Sequence, residues 1–304
     1  VIRLDTASCL VLCNGETVRC TLPGKWRLRR RDQPRAIAVG DVVTFTVPPD
    51  GDAVVGEAGE RHGGVLARRA AGDRNVQQIV AANVDQLVVV ASIEEPPLNR
   101  RLVDRLAVSG EHGEMDVVVC LNKLDLVDPA VVEPVLAVYA GLGYGILATS
   151  VVTGAGIEPF RETLREKTSV LAGPSGAGKS SLLNAIQPGL ELRVGAVSDS
   201  SQKGKHTTTA VSLLPLTMGG YVVDTPGIRE FALFDIWRGE LKHYFPELAE
   251  RFGQCRFADC SHRGEPNCAI KAAVDAGEID AERYESYCRI YDTLPESDGD
   301  YRTG

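Results

Sequence analysis

Gly173-Pro174-Ser175-Gly176-Ala177-Gly178-Lys179-Ser180 is the stretch on which the fold turns. It satisfies the spacing G-x-x-x-x-G-K-[ST], with the apolar run 169–172 before it and the helix-forming run 181–186 after it. Glycines at these positions let backbone N–H groups converge on phosphate oxygens, and the following helix adds the positive end of its dipole. Lys179 is placed to reach β and γ phosphates, and the Ser180 hydroxyl to ligate Mg²⁺. Strand, glycine loop and helix in that order predict a nucleotide-binding α/β domain.

Further compact apolar strands are expected at residues 87–92, 117–121, 146–149 and 221–223, with segments between several of them long enough for crossover helices. Such runs fit a mainly parallel sheet buried on both faces. Asn122-Lys123-Leu124-Asp125 follows directly on the strand at 117–121. A carboxylate accepts two hydrogen bonds at once from N1–H and the exocyclic amine of guanine, a pattern adenine does not present. Asp125 is therefore the candidate discriminator of the base, with Asn122 bracing neighbouring loops and the Lys123 stem covering the ring. Ala148-Thr149-Ser150 ends another apolar strand and offers its backbone to the guanine edge, which adds Thr149 and Ser150 to the candidate site. In Asp224-Thr225-Pro226-Gly227, Asp224 is placed to hold the Mg²⁺ water shell and the Gly227 N–H to meet the γ-phosphate. Thr207, Thr208 and Thr209 lie in a polar loop between the two phosphate motifs; Thr208 is taken as the one whose hydroxyl reaches Mg²⁺ when the γ-phosphate is bound.

The base-reading motifs precede the phosphate loop, whereas an ordinary GTPase carries them after it. The domain is read as circularly permuted, so the chain leaves the GTPase core just after the γ-phosphate-sensing element at 224–227. Ile228 follows Gly227, where Ras-like enzymes place a Gln that orients the attacking water, and an apolar side chain cannot do that. His206 is the nearest candidate; a loop histidine with no catalytic part is the competing reading.

Cys255, Cys260, His262 and Cys268 supply three thiolates and one imidazole at short spacings. Such a set closes a tetrahedral shell and leaves no open position for catalysis, so one structural zinc is expected. Cys288 falls in a helix expected over 276–294 and reads as a packing residue, while Cys9, Cys13, Cys20 and Cys120 read as buried thiols in a reducing, cytoplasmic compartment. Strands stop after residue 234, and the last ten residues read as a frayed tail.

The first 75 or so residues alternate short β-branched runs at 8–12, 17–22, 41–47 and 53–57 with turn residues, which indicates a small β-barrel or sandwich. The 304-residue chain has a net charge of −8, yet residues 1–40 carry eight basic side chains against three acidic ones, clustered between 25 and 35. A small barrel with a basic loop is a common way of holding RNA. With 44% apolar and 24% charged residues the chain is not disordered, and its longest apolar runs, such as 87–91, are far below the roughly 18–20 residues that span a bilayer. No membrane contact is expected, and no surplus apolar stripe asks for a partner subunit, so a monomer is expected.

Together, NKLD, GPSGAGKSS, GKHTTT, DTPG and the Cys/Cys/His/Cys cluster in this order resemble the ribosome small subunit-dependent GTPase A family of circularly permuted GTPases. The resemblance covers nearly the full chain. It implies an α/β, circularly permuted P-loop GTPase domain at 76–235, flanked by an N-terminal OB-fold β-barrel at 1–75 that binds RNA and a C-terminal zinc-binding, mainly helical domain at 236–304. It implies GTP hydrolysis stimulated by the small ribosomal subunit during late maturation, with contacts to 16S rRNA by the flanking domains. By position it carries over Asn122, Lys123 and Asp125, the phosphate loop from Gly173 through Ser181, His206, and the four metal ligands; Lys205 stands where Arg is usual. An alternative is an rRNA-binding scaffold whose affinity is set by the guanine nucleotide, with hydrolysis incidental.

Overall fold

The computed structural model describes residues 1–27, 37–49, 51–70, 73–190, 211–224 and 236–296. The N-terminal part holds strands Arg3–Leu4 (β1), Ser8–Cys13 (β2), Glu16–Thr21 (β3), Val43–Thr46 (β4) and Ala53–Ala58 (β5), with one helical turn, Gly24–Arg27 (α1). A hairpin of Gly64–Ala70 (β6) and Asp73–Val84 (β7) forms a two-stranded sheet of its own and leads into the next unit. There follow Gln86–Ser92 (β8), Arg100–His112 (α2), Asp116–Asn122 (β9), Pro129–Gly141 (α3), Gly145–Ala148 (β10), Ile157–Leu164 (α4), Thr168–Ala172 (β11), Lys179–Ile186 (α5), Ser212–Pro215 (β12) and Tyr221–Asp224 (β13). Pro246–Ala249 (α6), Ala269–Asp275 (α7) and Ala281–Thr293 (α8) complete the described chain, and no strand follows β13 among the described residues.

Eleven strands form one sheet in the order β10-β9-β8-β11-β13-β12-β1-β2-β3-β5-β4. The first five run parallel, as their apolar sequences demand, and β12 is antiparallel to β13. All seven residues of β8 are buried. The two-residue side-chain period divides them between two cores. Leu87, Val89 and Ala91 pack with Val103, Leu106 and Ala107 of α2 and with Val132 and Tyr139 of α3. Val88 and Val90 pack with Phe160 and Leu164 of α4 and with Leu182, Leu183 and Ile186 of α5 on the other face. From β8 the chain steps outward to β9 and β10, then returns to place β11 on the opposite side of β8. The crevice beyond the carboxyl ends of β8 and β11 is thus a topological switch point, where open α/β sheets bind ligands.

The N-terminal strands extend the same sheet through β1, which pairs with β12 at Arg3 and Ser212, the Leu213 N–H donating to the Ile2 carbonyl at 2.8 Å. In this unit Asp41 is 1% exposed and accepts hydrogen bonds from Arg61 Nε at 2.7 Å, Arg61 Nη2 at 2.8 Å and the Ala38 amide at 2.7 Å.

The C-terminal unit has its own core, built on Ile236, Leu241, Phe245, Leu248, Tyr287 and Ile290, to which α2 contributes Val108. A buried ion cluster joins α2 to this unit. Arg283 of α8 donates from Nη1 to Asp104 Oδ1 at 2.8 Å and from Nε and Nη2 to the two Glu247 oxygens at 2.8 and 3.1 Å. Tyr139 of α3 donates to the same Asp104 oxygen at 2.9 Å, and the Arg283 guanidinium lies 4.6 Å from the Phe245 ring centroid. Burial opposes the charge on Arg283, but the two carboxylates outweigh it and raise its pKa further. At the rim, Arg100 reaches Asp280 at 2.7 Å and Glu282 at 3.1 Å.

One expectation is corrected here. The helix expected over 276–294 starts later, at Ala281: Gly277, whose φ of +73° cannot continue a helix, follows the end of α7 at Asp275, and α8 begins with the Asp280 side chain accepting from the Arg283 amide at 2.9 Å. Cys288 lies within α8, packed against the C-terminal core. Of the four N-terminal and central thiols, Cys9, Cys20 and Cys120 are fully buried, while Cys13, at the strand end next to the β2–β3 turn, is only half-buried. Burial pushes the Cys120 thiol up to about 12, and burial beside Cys20 pushes Cys9 up to about 11, so neither is a ready nucleophile at neutral pH.

Candidate nucleotide site and metal centre

The phosphate loop leaves β11 at Gly173, where φ is +139° and an added Cβ would stand 1.9 Å from the Val90 carbonyl oxygen of β8. No residue with a side chain fits there, because the obstacle is the backbone of the central strand. Gly178, at φ +94°, caps α5, and a Cβ on it would meet Asn122 Nδ2 at 2.2 Å. Between them Pro174, Ser175 and Gly176 form the crest, Ser175 and Gly176 being exposed, and Ala177 is buried beneath. Lys179 Nζ lies across the loop and donates to the Gly173 and Pro174 carbonyls at 2.7 and 2.9 Å. Ser180 and Ser181 follow in the first turn of α5, whose Leu182 amide donates to the Gly178 carbonyl at 2.9 Å.

The NKLD segment comes off the carboxyl end of β9, two strands from β11. Asn122 is 3% exposed, and its Nδ2 donates to the Ala177 carbonyl at 2.9 Å while its Oδ1 accepts from Thr149 Oγ1 at 3.0 Å. One side chain thus ties together the phosphate loop, NKLD and the β10 loop. Lys123 takes a left-handed φ of +64°, and its Nζ donates to the Glu95 carbonyl at 2.5 Å. Asp125 Oδ1 accepts a short hydrogen bond from the Ser150 hydroxyl, which also accepts from the Thr153 amide at 3.2 Å. The Thr149 and Ser150 amides are spent inside the loop, on Leu121 O at 2.8 Å and Ala155 O at 2.9 Å. This pair therefore presents side chains, and the next amide, that of Val151, has no acceptor among the described residues. Sequence reading had no means of separating these amides, since their assignment depends on how the loop folds back on itself. Asp224 ends β13 beside β11, on the phosphate-loop side of the sheet. His206, Thr207, Thr208, Thr209, Gly227, Ile228, most of the basic run at 25–35 and nearly all of the acidic tail lie outside the described residues.

In the C-terminal unit, one donor atom each from Cys255, Cys260, His262 and Cys268 lies within 4.8 Å of the others. His262 Nδ1 is 3.5 Å from both Cys255 Sγ and Cys268 Sγ, which are 3.9 Å apart. Zn–S bonds of about 2.3 Å and Zn–N bonds of about 2.0 Å at tetrahedral angles give edges of roughly 3.5–3.8 Å, so these residues fit a zinc ion. Burial, together with the neighbouring Cys268 and Cys255 thiols, pushes Cys260 up to about 12, and a divalent cation is what lets such a cluster ionise. The loop is braced from behind: Tyr284 and Tyr287 donate to the His262 and Ser261 carbonyls at 2.7 and 2.8 Å. The Glu265 carboxylate accepts from the Ser261, Arg263 and Gly264 amides at 2.7, 3.1 and 3.1 Å. Burial alone would raise the Glu265 pKa, but these bonds win and hold it at about 2.

A phosphate loop at the switch point of a parallel sheet, bonded through Asn122 to a guanine-type motif that precedes it in the chain, defines a circularly permuted P-loop GTPase. The RsgA GTPase family model matches residues 60–234, and the chain belongs to that family. It is 42% identical to the small ribosomal subunit biogenesis GTPase RsgA of Chlorobaculum parvum, covering 93% of each chain. It is 43% identical to the protein of the same name from Thermotoga maritima, over 91% of this chain and 89% of that one. Among solved structures it is similar to YjeQ from Thermotoga maritima, with a TM-score of 0.77, 39% identity and 96% and 95% of the two chains covered. YloQ, described as a circularly permuted GTPase, matches with a TM-score of 0.72 and 29% identity over 98% and 96%. No helix among the described residues is long and apolar enough to cross a membrane.

Proposed function

We propose that this GTPase acts in biogenesis of the small ribosomal subunit in the cytoplasm, binding the subunit and its 16S rRNA and hydrolysing GTP faster when bound to it. The observation that carries the nucleotide reading is the Asn122–Ala177 hydrogen bond, which fixes base-reading and phosphate-holding loops in one frame. In this reading Asp125, oriented by Ser150, accepts from guanine, and the Val151 amide faces the base carbonyl. Lys123 covers the ring. Gly173 through Gly178 present amides to the phosphates, with Lys179 redirected from its two carbonyls to phosphate oxygens and Ser181 in support. Mg²⁺ neutralises charge on the phosphates when bound, held by Ser180, Thr208 and, through water, Asp224. Gly227 senses the γ-phosphate, and His206 positions the attacking water. The zinc is structural and shapes the C-terminal unit.

Hydrolysis rates measured with and without purified small subunits test the reading: a strong stimulation is expected, and an unchanged rate would leave only a nucleotide-regulated scaffold. Asp125→Asn exchanges a carboxylate for an amide that cannot accept both guanine hydrogen bonds. At about 1.5–3 kcal/mol for the lost charge-assisted bond, GTP binding by titration calorimetry is expected to weaken roughly 10- to 150-fold.

A further inference from the structure

Among the described residues, Phe252 and Phe257 are the only exposed phenylalanine, tyrosine or tryptophan side chains, at 40% and 39%. Both lie on the C-terminal unit, and each has a cation against its ring. Lys242 Nζ is 5.8 Å from the Phe252 centroid, and the Arg256 guanidinium carbon is 5.4 Å from that of Phe257. The exposed imidazole of His243 meets Phe252 edge-on, with centroids 4.7 Å apart. The cations are not committed elsewhere: Arg238, Arg251, Arg263 and Arg283 all make ion pairs, whereas Lys242 and Arg256 make none among the described residues.

The backbone under the patch is fixed. Residues 252–259 are exposed except at Cys255, and Phe257 stands between two ligands of the metal cluster, Cys255 and Cys260. The Arg256 amide donates to Asn267 O at 3.4 Å, and Phe257 O accepts from the Cys260 amide at 3.3 Å. A metal-tied loop that holds aromatic rings out in water, beside uncommitted cations, has a ready partner in unpaired nucleic acid: bases stack on the rings while Lys and Arg meet phosphates. An apolar protein partner would ask for a continuous apolar surface, but the exposed neighbours here are Gly253, Gln254, Arg256, Ala258 and Asp259, of which only Ala258 adds an apolar side chain.

We infer that Phe252 and Phe257, with Lys242 and Arg256, form a stacking surface for unpaired RNA bases. This rests on the ribosomal reading above and assigns a particular contact to it. The test uses the full, zinc-loaded chain, with Phe252→Ala, Phe257→Ala, the double variant and the two Phe→Trp variants, each checked for zinc content and melting temperature. Binding is measured to a short labelled single-stranded RNA, to the same RNA annealed to its complement, and to small subunits by co-sedimentation. Base–aromatic stacking of about 1–3 kcal/mol per base corresponds to roughly 5- to 150-fold weaker single-strand binding for each alanine, with tryptophan restoring it and the duplex little affected. Equal single-strand binding by the wild type and the double variant overturns the inference. Loss of subunit binding with single-strand binding intact also overturns it, since the patch then meets a protein. If the wild type ignores small subunits while the alanine variants still lose the single strand, the stacking surface stands and the ribosomal reading fails.

Discussion

Replacing Cys260 with serine, or stripping zinc with a strong chelator, is expected to unfold the C-terminal unit and reduce bound zinc from about one per chain to almost none. Cys260 and Cys268 are 2% and 5% exposed and belong to the same buried cluster as Leu241, Phe245 and Tyr287, so the segment that carries the Cys/His group is part of the core. A unit of about 60 residues buries too little apolar surface to be securely stable alone. Structural zinc supplies about 10–16 kcal/mol in small zinc-binding peptides, comparable to or larger than the usual net stability of a whole domain. Metal analysis and limited proteolysis of residues 236–296 check the result. Cys288→Ser serves as the contrast: Cys288 packs from α8 and is outside the ligand set, so zinc content should not change. Full folding of a Cys260→Ser chain without zinc would remove the structural role of the metal.

Arg283→Ala is expected to destabilise the protein by about 3–5 kcal/mol in equilibrium denaturation, because it strands two carboxylates that lie 0% and 10% exposed. Asp104 is the more exposed to this loss in energetic terms, since its Oδ2 already has no hydrogen-bond partner and its Oδ1 would keep only Tyr139. The effect should reach beyond α8, for Asp104 sits on the helix that also packs under the central sheet. Removing Asp104, Glu247 and Arg283 together in favour of apolar residues of similar volume should cost far less than removing Arg283 alone. A triple replacement as damaging as Arg283→Ala would show that packing, not stranded charge, governs the joint.

The nucleotide site was legible because its chemistry constrains sequence locally. Gly173 and Gly178 are demanded by contacts under 2.5 Å to any Cβ, and the four Cys and His residues that could hold a metal ion fall within one short segment. The parallel strands announced themselves by apolar runs buried on both faces. What escaped notice depends on distant partners. The β6–β7 hairpin breaks up its apolar residues with Arg68, Arg69, Arg74, Gln77 and Gln78, so no regular apolar alternation marks it. The two-residue β1 and four-residue β12 are too short to show a period. Asp104 and Arg283 are separated by 179 positions, and nothing in either neighbourhood points to the other. The break between α7 and α8 could have been found, since Gly277 followed by Asp280 is a stop signal followed by a cap. The Ser150 hydroxyl on Asp125 and the spent Thr149 and Ser150 amides required the folded loop.

The short strand β1 weaves the N-terminal unit and the GTPase core into one sheet through a strand only two residues long. Slipping β12 against β1 by one position would turn Leu213 from the buried face to the open one, because side chains alternate along a strand. Burial of Leu213 therefore sets the register of this pairing, and the strand on its core side is hydrogen-bonded to the one that ends in Asp224.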